Sequence, residues 1–258
     1  MITYFNQIPI HYTINGNGPC IVLMHGFLLS SSIWVDLIPK FYKKNQVISI
    51  DLPGHGKSGC IAETHTMELM AEVVNSILEE NNILKASFIG HSMGGYICLA
   101  FAEKYPTKIN KLVLLNSSSE EDSQERKINR DRAIKILKQN EVVFVKMAIA
   151  SLFPEEKRNQ FQHYIDEFSN DALDFPVEGI IATIKGMKIR KDRTSVLKSF
   201  QGDKYMISGI EDPIIPISSS EKVANESQTK LLKVQSGHMS VNENIDEIVE
   251  IVYFIDFL

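Results

Sequence analysis

Cysteine, tryptophan and long apolar runs are all scarce in this chain of 258 residues, which has three cysteines and one tryptophan. Cys20, Cys60 and Cys98 stand far apart and form no C-x-x-C pair. That excludes a disulfide framework and suits a reducing compartment. Cys20 and Cys98 lie within apolar stretches, where buried free thiols are expected. The most apolar run, "CIVLMHGFLL", is too short to cross a bilayer and is interrupted by His25 and Gly26. The opening "MITYFNQIPIHY" has neither the basic start nor the long apolar stretch of a secretory signal. The expected location is therefore the cytoplasm. Basic excess is missing as well: 27 Lys and Arg face 32 Asp and Glu, for a net charge of -5. This balance speaks against nucleic acid or an anionic membrane as the main partner, and the shortness of the apolar runs speaks against stable membrane insertion. No H-E-x-x-H or comparable ligand spacing occurs, so no metal is expected; no organic cofactor is expected either.

What is present is ordinary globular material, 44% hydrophobic and 23% charged, enough for one large domain or one domain with an insertion. "ITYF" and "IPIHYTI" flank "NQ" at 6–7 and predict an antiparallel hairpin, with a turn at "NGNGP". "CIVLMHG" (20–26) reads as a strand buried on both faces. Trp34, Leu37, Ile38 and Phe41 predict a helix over 31–43. "QVISI" leads into a glycine-rich loop, and Met67, Met70, Val74, Ile77 and Leu78 share one face of a helix over 65–82. "ASFIG", a helix over 92–104 and "KLVLLN" (111–116) continue the alternation. Strands alternating with helices imply right-handed crossovers and a covered, mostly parallel sheet. From 117 to 198 no strand pattern is convincing and several helices are predicted. Val142, Val143, Phe144, Met147, Ile149 and Leu152 supply apolar faces there, and "FPEEKR" with Pro154 marks a helix start. Alternation resumes with "DKYMISG" (203–209), a helix around 218–226, "KLLKVQ" (230–235) and a terminal helix from about 242. The expected organisation is one core of residues 1–116 and 199–258 with a helical insertion at 117–198.

"GHSMG" (90–94) fits G-x-S-x-G and falls between a predicted strand and a predicted helix. A sharp strand-to-helix turn lifts the Ser92 hydroxyl above the sheet edge and leaves room only for small residues two positions either side, which gives Gly90 and Gly94 a steric reason. It also sets Ser92 at a helix N-terminus, where free N–H groups can stabilise an oxyanion. A serine needs a base to take its proton. His11, His65 and His163 read as surface or structural residues. His25, His55 and His91 lie at the ends of strands near the same sheet edge, but neighbours around a tight turn, such as His91 and Ser92, generally point apart. "SGHMS" follows the last predicted strand, so His238 reaches that edge and is the favoured base over the other histidines. The base needs an acid to fix its tautomer. "SGIEDPIIP" (208–216) offers Asp212, with Glu211 as runner-up, whereas the loop after "KLVLLN" offers Asn116 and serines before any acid.

With "HGF" (25–27), "DLPGHGKS" (51–58), "GHSMGG" (90–95), "GIEDPIIP" and "SGH" in this order, the chain resembles the α/β-hydrolase superfamily over almost its whole length. The resemblance implies an α/β fold with a helical cap after the sixth strand, and a triad of Ser92, Asp212 and His238. It also implies an oxyanion hole formed by the backbone N–H groups of Phe27 and Met93. Asp51 and His55 are then loop organisers. Phe144, Met147, Leu152 and Phe153 are candidates to line an acyl pocket, and Arg126, Arg130 and Arg132 to meet a substrate carboxylate, although a solvated helix face is the plainer reading of the arginines. The expected activity is serine-dependent hydrolysis of a small or medium carboxylic ester. C–C bond hydrolysis, a menaquinone-pathway-like elimination and acyl transfer remain alternatives on the same triad, as does ligand binding without turnover.

Overall fold

The computed structural model describes residues 1–255. Eight strands form one sheet in the order β1-β2-β4-β3-β5-β6-β7-β8. They are β1 (Ile2–Phe5), β2 (Ile8–Asn15), β3 (Cys20–Met24), β4 (Gln46–Ile50), β5 (Ala86–His91), β6 (Ile109–Leu115), β7 (Asp203–Gly209) and β8 (Lys230–Val234). The β1–β2 and β2–β4 pairings are antiparallel and all others parallel. The predicted hairpin exists: Asn6 and Gln7 take φ of 49° and 68°, the two left-handed residues that a tight twisted hairpin needs.

The helices are α1 (Ile38–Phe41), α2 (Met67–Glu80), α3 (Met93–Lys104), α4 (Gln124–Gln139), α5 (Glu141–Ala150), α6 (Gln162–Leu173), α7 (Val177–Lys188), α8 (Thr194–Ser199), α9 (Ile217–Ser227), α10 (Ser240–Glu243) and α11 (Ile245–Phe254). The helix predicted over 31–43 breaks into a 3-10 turn, Ser31–Trp34, and the single turn α1. Pro39 explains the break, because it has no N–H to give and its ring clashes with the carbonyl one turn back. "FPEEKR" yields only a short 3-10 turn, Glu155–Lys157, and the terminal helix divides at Asn244. Five helices, α4 to α8, separate β6 from β7.

Alternate side chains of the central strands feed two cores. Val22 and Met24 of β3 join α2, α3 and α9 on one face. Ile21 and Leu23 join Trp34, Leu37, Phe41 and α11 on the other, and this second cluster continues into Val145, Ile149, Phe161, Ile180 and Ile184 of the helical block. All five apolar positions predicted for α2 are buried. At about 1.5–3 kcal/mol per buried aliphatic side chain, that face holds α2 to the sheet far more firmly than helix propensity does.

The block is seated on the core through α7. A Cβ on Gly179 would lie 2.5 Å from the Gly54 Cα, and one on Gly186 only 1.7 Å from the His65 carbonyl oxygen. Between them Thr183 Oγ1 meets His65 Nδ1 at 3.2 Å. Positions 179, 183 and 186 recur at helical spacing, so one small-residue face lets α7 approach backbone to backbone. Gly54, Gly56 and Gly59 also have G-x-G-x-x-G spacing. The next helix starts only at Met67, so this loop does not deliver a helix N-terminus to a dinucleotide.

Candidate functional site

Ser92 joins β5 to α3 with φ 50° and ψ -114°, a conformation that costs about 1–3 kcal/mol for a residue with a side chain. The turn is held from several sides. The Ser92 N–H donates to the Leu115 carbonyl at 2.9 Å, and the Ser92 carbonyl accepts the Gly95 N–H at 2.9 Å and the Ser117 hydroxyl at 2.7 Å. Space around it is tight, as the sequence predicts. A Cβ on Gly90 would sit 2.5 Å from the Gly94 carbonyl, and one on Gly94 2.3 Å from the Met24 oxygen. Ser92 itself stays half-buried rather than enclosed.

Asp212, in the loop after β7, and His238, in the loop after β8, meet at this edge. Asp212 Oδ2 lies 2.8 Å from His238 Nδ1, and both side chains are 1% exposed. The other carboxylate oxygen accepts the N–H groups of Ile214 and Ile215 at 2.8 and 2.9 Å. Asn116 Nδ2 adds a bond to Oδ2 at 3.0 Å. Burial alone would raise the Asp212 carboxyl, but His238 and these donors outweigh it and hold it below the usual carboxylate range. The His238 ring lies 5.1 Å from that of His91, the residue preceding Ser92. A Cβ on Gly26 would touch both His91 and Ser92. The loops after β3, β5, β7 and β8 therefore converge as the parallel topology requires. Among the described residues, none accepts a hydrogen bond from the backbone N–H of Phe27 or Met93.

The remaining sequence candidates fall elsewhere. Glu211 pairs with Lys157 instead of a histidine. Asp51 organises its loop by accepting the N–H groups of Ser31 (2.8 Å) and Lys57 (3.0 Å) and meeting His11 Nδ1 at 2.9 Å. His25 accepts the Leu52 N–H at Nε2 and donates from Nδ1 to the Gly26 carbonyl. His55 packs against His25, Phe27 and Phe175, and burial pushes it down to about 3. Arg126 donates to the Ile214 carbonyl at 2.5 Å, bracing α4 against the Asp212 loop. Arg130 and Arg190 flank the buried Asp122. Only Arg132, exposed and bonded to Asn129, fits the solvated-face reading.

Phe144, Met147, Leu152 and Phe153 do not face one common pocket. Met147 is 67% exposed, and Phe153 is fully buried against Phe161, with ring centroids 5.6 Å apart. The reason is that α5 is apolar almost all round, so spacing could not tell its covered face; Val145 and Ile149 are the residues it buries. Phe144 and Leu152 are half-buried against the second core cluster, and the Leu152 carbonyl accepts the His238 N–H at 3.3 Å. A cavity of about 640 Å³ opens beside β2 and β4, lined by His11, Asp51, Lys57, Asp171 and Phe175, and includes neither Ser92 nor His238.

Two supporting residues escaped the sequence reading. Asn116, at φ 44° just after β6, bonds to Asp212, to the Gly237 carbonyl and to the Ser240 hydroxyl. Glu243 accepts the N–H groups of Gly237 and Met239 at 2.8 and 3.0 Å, clamping the His238 loop. The one available signal was position: Asn116 directly follows β6, and Glu243 closes the short helix α10 just after the His238 loop.

A family model described as the alpha/beta hydrolase fold matches residues 19–144. A curated relative from Pseudomonas putida, the dihydrolipoyllysine-residue acetyltransferase component of an acetoin cleaving system, is 28% identical over 90% of this chain and 61% of its own length. A 2-hydroxy-6-oxononadienedioate/2-hydroxy-6-oxononatrienedioate hydrolase of Paraburkholderia phymatum is 34% identical over 46% of this chain and 43% of its own length. This chain thus spans less than two thirds of these curated relatives. A solved thermophilic esterase from Thermogutta terrifontis is 28% identical, with a TM-score of 0.89 over 95% of this chain and 92% of that one. Among the described residues no helix is long and apolar enough to cross a membrane.

Proposed function

The chain belongs to the α/β-hydrolase superfamily and has its fold, and on that premise we propose that it is a serine hydrolase cleaving a carboxylic ester through an acyl-enzyme. The observation that carries this reading is the buried Asp212–His238 pair, 2.8 Å apart, whose imidazole lies 5.1 Å from the ring of His91, the residue preceding the strained Ser92. His238 takes the proton of the Ser92 hydroxyl as the oxygen attacks the acyl carbon. Asp212 keeps the Nδ1 proton in place and stabilises the imidazolium that forms. The N–H groups of Phe27 and Met93 receive the developing oxyanion, each worth about 3 kcal/mol in the transition state. His238 then hands its proton to the departing alcohol. Water repeats the cycle to release the acid and restore Ser92.

In this reading the helical insertion over 117–198 is a cap, and the half-buried Phe27, Phe144 and Leu152 bound the acyl side of the substrate. The substrate is a small molecule, and the three free cysteines suit a cytoplasmic setting. The likeness to the 2-hydroxy-6-oxononadienedioate hydrolase keeps a second reading in view, in which the same triad acts on that kind of oxo acid. A panel of p-nitrophenyl esters of increasing acyl length, lactones and 2-hydroxy-6-oxo dienoates separates the two. Ester turnover above the oxo-acid rate supports the first, and oxo-acid cleavage without ester turnover replaces it with the second.

A further inference from the structure

His91 occupies a junction that the catalytic cycle above leaves unused. Its ring is fully buried at the end of β5, and Nε2 lies 2.9 Å from the carbonyl oxygen of His238. A carbonyl can only accept, so Nε2 carries the proton and donates. The other nitrogen, Nδ1, is buried with no hydrogen-bond partner among the described residues, and it faces Gly26, where an added Cβ would lie 2.8 Å away. One ring thus touches the loop of the base, the turn of the nucleophile and the loop that carries Phe27.

We infer that His91 is a positioning residue, a donor that fixes the main chain of His238 relative to Ser92 and Phe27. The inference rests on the serine-hydrolase reading of the site. Geometry explains why a histidine suits the task. An aliphatic side chain would leave the His238 carbonyl buried without a donor, which costs about 1–3 kcal/mol. A lysine or arginine would place a fixed positive charge beside an imidazole that must itself become positive. His91 supplies the donor without the charge. Protonation at Nδ1 would aim an N–H at Gly26 with no acceptor for it among the described residues, and burial pushes the ring down to about 3. The groups facing it reinforce this balance: His238 and His25 disfavour the cation, and the Asp212 charge offsets them only in part.

The test compares His91→Phe, which keeps a ring without the donor, His91→Leu, a donorless side chain of different shape, and His91→Gln, which restores an N–H. Each is assayed for p-nitrophenyl acetate hydrolysis, for labelling by a fluorophosphonate, and for the low-field proton resonance of the His238 Nδ1–H. Folding is checked by thermal unfolding. The inference expects the donorless variants that fold to lose about tenfold or more in kcat with KM within about twofold, since small misplacements of a catalytic group are costly. It also expects their Nδ1–H resonance to broaden or shift, and His91→Gln to recover most of both. Wild-type kcat and an unaltered resonance in a folded donorless variant would overturn it, as would His91→Gln behaving no better than His91→Leu. Failure of the wild-type protein to be labelled at Ser92 would instead remove the serine-hydrolase reading, and this inference with it.

Discussion

Asp212 Oδ2 holds His238 Nδ1 at 2.8 Å from within a carboxylate that also receives Ile214, Ile215 and Asn116. The acid therefore cannot swing away without giving up several hydrogen bonds at once. Its neighbour Glu211 faces outward to Lys157, so two adjacent carboxylates have opposite fates.

Asp212→Asn should lower kcat by about 10³–10⁴-fold, because an amide in that position favours the wrong imidazole tautomer. Glu211→Gln should leave kcat within about twofold, since an exposed ion pair of this kind contributes little. Steady-state kinetics on one ester decide between them, and equal losses in the two variants would contradict the assignment of the acid.

The α7 seam makes a stability prediction independent of chemistry. Gly186→Ala places a methyl group where the His65 carbonyl stands, and backbone cannot yield as a flexible side chain does. Overpacking of this kind costs about 1–3 kcal/mol, or roughly 2–10 °C in Tm for a chain of this size. Differential scanning calorimetry reads the shift, and an unchanged Tm would mean that α7 does not sit as closely as described.

Buried neutral histidines set the response to acid. Burial pushes His55 and His91 down to about 3 and His65 to about 4, from 6.5 in the unfolded chain. Between those values the unfolded state binds protons that the folded state refuses, so acid favours unfolding. Stability from these groups is complete above about pH 6.5 and declines as pH falls towards 4, by about 1.4 kcal/mol per pH unit for each group. Urea midpoints should therefore drop clearly between pH 7 and pH 5. Equal midpoints would show that these rings are charged or accessible in the folded protein.

Much of the architecture could be read before any coordinates, for physical reasons that differ by element. Strands buried on both faces announce themselves as apolar runs, and "CIVLM" is buried at every position. Gly90 and Gly94 are small because carbonyl groups occupy the space a Cβ would need, a constraint visible in the spacing of "GHSMG". An element with no contrast between its faces hides which side is covered. Helix α5 is apolar on most sides, and only the packing reveals that Val145 is covered and Met147 is not. Polar residues whose role depends on a distant partner carry no local signal either, as with Asn116 on Asp212, 96 residues away. Arg126 and Arg130 looked like a solvated face, but one braces the Ile214 carbonyl and the other the buried Asp122.

Ser92 supplies the attacking oxygen in the proposed reaction, and a covalent adduct tests that role most directly. Wild-type protein treated with a fluorophosphonate and digested with trypsin should carry the added mass on the Ala86–Lys104 peptide, with the modification at Ser92. Ser92→Ala should show neither label nor ester turnover while unfolding at a temperature close to that of wild type. An adduct on another residue, or undiminished ester hydrolysis by Ser92→Ala, would contradict the account.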